Sequence, residues 1–307
     1  MTNNKTLSGI FCPVITPFDA KLKVDTNRLI SQCRWLLSQN VSLAVFGTTS
    51  EANSLSIDEK IYLLDQLIDA GIDANRLLPG TGCCALPDTI RLTSHAVKLG
   101  CAGILMLPPF YYKEVSDQGI YEGIAKTIQS VGSHSMRIYL YHIPQMAGAG
   151  FSLKLIDRLV SEFPCLVAGI KDSSGNWENT KAMLNCGWDD FSVFVGSETF
   201  LLKNMQHGGA GCISATANIN PAAIDDLYQN WQLDGAEELQ QALNQVRDTT
   251  AEYPMIPALK AVIAEFFDDD GWRNVRPPLI KLDQQQSGDL AAILRGKGLK
   301  IRGPIPT

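Results

Sequence analysis

Eight short apolar runs alternate with longer stretches of helical spacing along most of this 307-residue chain, and the runs show no polar alternation. Uninterrupted apolar runs are what parallel strands covered on both faces require, so the pattern predicts an α/β fold. Eight strands, each followed by a helix, predict a (β/α)₈ TIM barrel. An open doubly wound sheet is the alternative. The first strand-to-helix turn has no G-x-G-x-x-G, which weakens the dinucleotide-binding form of that alternative.

The first run is Ile10–Ile15. Asp25 then caps a helix in which Leu29, Ile30, Cys33, Leu36 and Leu37 recur on one face. The second run, Leu43–Phe46, precedes Ser56 and Glu59, a capping box for a helix ending near Gly71. After the third run, Leu77–Gly80, Pro87 opens a helix that stops at Gly100. The remaining runs are Gly103–Leu107, Arg137–Tyr141, Val167–Ile170, Phe191–Val195 and Gly211–Ser214, and Asn220-Pro221 opens the helix after the last. Beyond Trp231 the strands stop. Leu239, Leu243 and Val246, then Ile256, Leu259, Val262 and Ile263, continue at helical spacing, and a final helix is expected over Asp289–Arg295. The division expected is a barrel over residues 1–231 and a C-terminal helical extension over 232–307 packed on it, with no Ser/Gly-rich linker between them.

The net charge of −6 argues against a partner with a phosphate backbone, so no nucleic-acid binding is expected. The eight cysteines form no C-x-x-C pair and several lie in apolar runs, as buried, reduced thiols do; this points to the cytosol. The four histidines are scattered, so no metal site is expected. The polar stretch Met1–Ser8 lacks the apolar core of a signal peptide. No apolar run approaches the roughly 20 residues of a membrane span.

In a (β/α)₈ barrel the chemistry lies at the C-terminal ends of the strands. Lys171 closes the apolar run Val167-Ala168-Gly169-Ile170 and should face a barrel mouth lined by aliphatic groups. An amine nucleophile must be neutral. With the ordinary lysine pKa near 10.4, about one lysine in 2,500 is neutral at pH 7, a handicap of roughly 4.6 kcal/mol that apolar burial reduces. An ion pair of Lys171 with Asp172 or Glu198 is the competing reading. Tyr141 ends the neighbouring run and can pass protons to and from a carbinolamine at Lys171. Thr48 and Thr49 follow Gly47 and offer hydroxyls and backbone N–H groups for a carboxylate.

With these residues in place the chain resembles the pyruvate-dependent class I aldolases and synthases that include dihydrodipicolinate synthase and N-acetylneuraminate lyase. The resemblance covers nearly the whole chain: Gly9-Ile10-Phe11-Cys12-Pro13-Val14-Ile15-Thr16-Pro17-Phe18, Gly47-Thr48-Thr49-Ser50-Glu51, Tyr141-His142-Ile143-Pro144, Gly169-Ile170-Lys171-Asp172-Ser173-Ser174-Gly175 and Gly209–Asn218. It implies that Lys171 forms a Schiff base with pyruvate, with Tyr141 as general acid/base and Thr48 as its relay. It further implies that Tyr112 completes the relay from a neighbouring subunit, hence a homodimer or homotetramer. The Thr48-Thr49 amides would hold the carboxylate, and Ile213 and Gly196 would line the pocket. No cofactor is implied.

Two positions depart from the family pattern. Ser50 stands where glycine is usual. Met146 stands where the dihydrodipicolinate synthases place an arginine for the second substrate's carboxylate, and a thioether cannot supply that charged fork. The sugar-acid lyases of the family carry apolar residues there. The expectation is therefore a lyase acting on a 2-keto-3-deoxy sugar acid, releasing pyruvate and a small aldehyde. A synthase condensing pyruvate with aspartate semialdehyde, and a keto-acid-binding protein without turnover, are the alternatives. His142, where asparagine is frequent, would touch the acceptor or pack at the rim. The glycine-rich His207–Gly211 belongs to the bottom of the barrel, Asp268-Asp269-Asp270 reads as a solvated turn, and Cys83-Cys84 as packed.

Overall fold

In the computed structural model, which describes residues 6–301, seven strands form one parallel sheet. They are β1 (Gly9–Cys12), β2 (Ser42–Leu43), β3 (Ile104–Met106), β4 (Ile138–His142), β5 (Val167–Asp172), β6 (Ser192–Val195) and β7 (Gly211–Ile213). Side by side they run β2-β1-β7-β6-β5-β4-β3. The third apolar run of the sequence, Leu77–Gly80, is not a named strand but lies between the two ends of that order. Leu78 and Gly80 donate N–H bonds to the Leu43 and Val45 carbonyls (2.8 Å each), while Leu105 donates to Pro79 and Thr81 to Leu105 (2.9 Å each). Pro79 has no N–H to give, so the run makes isolated bridges to β2 and β3 rather than a continuous ladder. Strand β2 is also shorter than expected, because Phe46 takes a left-handed backbone (φ 61°) and ends the extended path.

The helices are α1 (Thr26–Ser38), α2 (Ile57–Asp69), α3 (Leu86–Lys98), α4 (Asp117–Val131), α5 (Pro144–Ala147), α6 (Leu153–Glu162), α7 (Trp177–Asn185), α8 (Leu201–Gln206), α9 (Pro221–Asn230), α10 (Ala236–Ala251), α11 (Met255–Phe267) and α12 (Gln284–Gly296). Asp25 caps α1, and Ser56 with Glu59 forms the capping box of α2, as their spacing requires. The last helix begins five residues before its expected start. A second capping box, Asp283 with Gln286, fixes that end in a stretch with little apolar periodicity.

Because side chains alternate across a strand, the sheet buries both faces. Ile10, Cys12, Leu43, Ile104 and Ile170 pack outward against the helices. Phe11, Ala44, Leu78, Leu105, Tyr139, Tyr141, Phe194 and Ile213 form a second, inner cluster. The Tyr139 hydroxyl, low in that cluster, accepts the Leu7 N–H (3.1 Å). Gly169 makes room for it: a Cβ there would lie 2.6 Å from the Tyr139 ring and 2.5 Å from the Ser192 carbonyl oxygen.

Two expectations need correction. Cys12, Cys33 and Cys212 are buried, but Cys165 and Cys186 are exposed. Asp269 is no solvated turn residue. Its carboxylate takes two bonds from the Arg28 guanidinium (2.8 Å each), which hold it below the usual carboxylate range and tie α1 to the end of α11. Met1–Lys5, which make up most of the polar stretch Met1–Ser8, lie outside the described residues, as do the last six residues of the expected extension. Among the described residues no helix is long and apolar enough to cross a membrane.

Candidate active site

A cavity of about 560 Å³ opens at the C-terminal ends of the strands. It gathers Thr48 and Thr49 from the turn after β2, Tyr141 from β4, Lys171 from β5, Gly196 after β6 and Ile213 from β7. Strand β5 runs two residues beyond the apolar stretch, so Lys171 and Asp172 fall on opposite faces. Lys171 is 4% exposed and lies in register between Tyr141 and Phe194, with its Nζ 4.2 Å from the centre of the Tyr141 ring.

Neither carboxylate proposed as an ion-pair partner is available to it. Asp172 points to α7, where it accepts from the Ser174 N–H (2.9 Å), Asn179 (3.0 Å) and the Thr180 hydroxyl (2.7 Å). Glu198 accepts the hydroxyls of Ser214 and Thr216 and lies 3.7 Å from the Arg247 guanidinium. Among the described residues Lys171 has no ion pair, and its amine lies against the Tyr141 ring.

The Thr48 and Tyr141 hydroxyls are 3.1 Å apart, a hydrogen bond across the mouth from β2 to β4. The turn that carries Thr48 is held from within. Ser50, at the position where glycine is usual, is buried; its Oγ accepts the Gly47 N–H (3.3 Å) and its carbonyl accepts the Thr16 hydroxyl (2.7 Å). The extra hydroxyl thus closes the turn instead of facing the cavity. Gly196 is required by close approach, since a Cβ there would sit 1.9 Å from the Ser173 Oγ.

The outer half of the cavity is drawn from elements the strand-end reading does not reach. Met146 on α5 lines its rim and is 65% exposed, and Gln145 beside it donates to the Ser173 carbonyl (2.6 Å). Phe200, Arg247 of α10, Met255–Pro257 of α11 and Leu279 complete the wall. Sequence reasoning missed these because they follow the strands or lie beyond the last one. The unused signal is the Pro254-Met255-Ile256-Pro257 helix start, whose prolines fix where α11 begins.

Two further residues stand apart from this chain's own cavity. The His142 Nδ1 accepts the Phe151 N–H (3.0 Å), and burial pushes the imidazole below its usual range while Asp172 opposes that shift. A histidine fixed in this way packs at the rim. Tyr112 is 69% exposed and stands outside the wall, where its ring meets that of Tyr111 edge to face at 5.5 Å. Among the described residues no group of three or more His, Cys, Asp or Glu could hold a metal ion.

Residues 6–297 match the model of the dihydrodipicolinate synthetase family. An uncharacterised DapA-like lyase of Chloroflexus aurantiacus is 32% identical over 290 residues, 92% of this chain and 95% of that protein. The crystal structure of dihydrodipicolinate synthase from Agrobacterium tumefaciens superposes with a TM-score of 0.87 at 28% identity, covering 94% of this chain and 98% of the other. YagE, a prophage protein of the same family from E. coli K12 solved in complex with pyruvate, superposes with a TM-score of 0.86 at 25% identity, covering 95% and 99%. By the extent of the family match and the identity of its relatives, the chain belongs to the dihydrodipicolinate synthetase family.

Proposed function

We propose that the chain is a Schiff-base lyase that cleaves a 2-keto-3-deoxy sugar acid into pyruvate and an aldehyde. The observation that carries this reading is the Lys171 amine, buried without a carboxylate beside a tyrosine whose hydroxyl bonds to Thr48. The Lys171 Nζ attacks the keto carbon to give a carbinolamine. Tyr141 protonates the departing hydroxyl, water leaves and an imine remains. Tyr141 then takes the proton of the C4 hydroxyl, the C3–C4 bond breaks and the aldehyde departs. The electron pair of that bond is left in an enamine, which is protonated at C3 and hydrolysed to pyruvate. The Thr48 and Thr49 amides hold the carboxylate, and Ile213 and Gly196 line the pocket floor.

We read the curled sheet, with Leu77–Gly80 bonded to both β2 and β3, as a closed (β/α)₈ barrel. The helices that follow residue 231 form the extension that roofs the site. In this reading the exposed Tyr111-Tyr112 loop is covered by a second subunit, so the enzyme is a homodimer or homotetramer acting in the cytosol. Met146 favours the sugar-acid lyase. The Arg247 guanidinium in the cavity wall favours the second reading, in which aspartate semialdehyde is the acceptor.

Borohydride reduction in the presence of pyruvate should trap an adduct on Lys171, located by peptide mass spectrometry; an unmodified Lys171 peptide overturns the Schiff-base mechanism. A panel of 2-keto-3-deoxy sugar acids, with pyruvate plus aspartate semialdehyde beside it, separates the two reactions. Imine formation without turnover on any of them would identify a binding protein.

A further inference from the structure

The Thr48-bearing turn is tied to the C-terminal helices by a buried charge network that the reaction itself does not use. Glu51 ends the turn at φ 55°, a backbone region few non-glycine residues adopt, and its N–H returns to the Thr48 carbonyl (3.1 Å). Its side chain is fully buried. One carboxylate oxygen is paired with the Lys260 ammonium, and the other accepts the Arg276 N–H (3.1 Å). Lys260, equally buried, also donates to the Asn274 carbonyl (2.7 Å) and lies 4.4 Å from the centre of the Phe18 ring. The Arg276 guanidinium lies 4.6 Å from that ring and binds Glu59, the Ser54 carbonyl (2.6 Å) and the Leu22 carbonyl.

Lys260 stands one helical turn after Pro257, which lines the active-site cavity, so the two share a face of α11. The Glu51–Lys260 pair therefore joins the two walls of the cavity, the Thr48–Thr49 turn and the α11 roof, at a point out of contact with any substrate. A left-handed residue three positions from Thr48 persists only when its surroundings over-determine it. Here the over-determination comes from the C-terminal region.

We propose that Glu51 and Lys260 are positioning residues that hold the Thr48–Thr49 turn in the geometry that receives the keto acid's carboxylate. The proposal rests on the Schiff-base reading above and assigns the C-terminal helices a part in substrate affinity. Burial pushes the Lys260 ammonium down to about 8, with Arg276 acting the same way and Glu51 opposing.

The test measures the pyruvate concentration that half-saturates borohydride trapping on Lys171, together with kcat, KM and Tm. The near-isosteric Glu51→Gln should raise that concentration roughly 10–100-fold while full trapping is still reached at saturation. Should the single variant fold poorly, Glu51→Gln combined with Lys260→Met removes both charges and leaves none buried alone. That double variant should regain the thermal stability and still show the raised half-saturation. Half-saturation within twofold of the parent in a folded variant overturns the positioning role. An absence of trapping in the unmodified enzyme overturns instead the Schiff-base reading beneath it.

Discussion

The two sides of the cavity are built in opposite ways. On the Lys171 side, β4 and β5 are joined by five register pairs, and β5 and β6 by four. On the Thr48 side, β1 and β2 share two pairs, and beyond them Leu77–Gly80 makes only isolated bridges. Lys171 and Tyr141 are thus fixed by main-chain ladders, whereas the Thr48 turn is braced by side chains: Thr16, Ser50 and the Glu51–Lys260–Arg276–Glu59 network. A ladder tolerates changes of exposed side chains but not of its spacing. A side-chain brace tolerates backbone irregularity but not loss of a charge.

The contrast predicts graded outcomes. The largest joins the two sides. Tyr141→Phe removes the hydroxyl that meets Thr48 and should cost about 10²–10⁴-fold in kcat with the fold and urea midpoint unchanged. Next is the ladder itself. Gly169→Ala forces a methyl against Tyr139 and the Ser192 carbonyl, and should lower unfolding stability by about 1–3 kcal/mol in urea titrations. The brace yields to acid. Arg276, joined by the Ser56 cap, holds the Glu59 carboxyl at about 2, below its ordinary 4.5. A depressed carboxylate stabilises the fold above its unfolded pKa, so this contribution is complete above about 4.5 and lost as pH falls toward 2. Glu59→Gln should therefore flatten the acid limb of stability against pH in that window, and more so at low salt, because the carboxylate is partly solvated. The smallest effect is at the rim. Met146→Arg, at an exposed position, should change stability by no more than about 0.5 kcal/mol, and its effect on the acceptor panel reports whether the rim selects against a second carboxylate.

Where local chemistry decides the structure, the sequence was readable. Asp25, Ser56 with Glu59, and Pro221 start helices where their side chains and φ restrictions require. The apolar runs mark the strands, and Lys171, Tyr141, Thr48, Thr49, Gly196, Ile213 and Met146 do come together at one cavity. What was not readable depends on partners distant in sequence. The weak third strand follows from a proline whose missing N–H matters only beside β3. Asp269 looked solvated because Arg28, 241 residues away, is not visible in a local window. Arg247 and the α11 start reach the cavity only through the packing of the C-terminal helices. His142, read as touching the acceptor or packing at the rim, takes the second place because the Phe151 N–H holds its ring.

The packing beneath Lys171 bears on the order of events. Phe11, Tyr139 and Phe194 meet edge to face, with ring centres 5.7 and 6.0 Å apart, and Tyr139 is bonded to Leu7 at the lower end. These rings pack closely beneath the Lys171 end of the cavity, whose mouth lies at the C-terminal ends of the strands. On the lyase reading, the group tethered to Lys171 lies against these rings, and the aldehyde portion lies nearer the cavity mouth. On that reading the aldehyde departs while the pyruvate half is still held as an enamine on Lys171, before hydrolysis frees pyruvate. Release is then sequential, pyruvate competes with the keto acid for the free enzyme, and the aldehyde inhibits by recombining with the enamine still attached to Lys171.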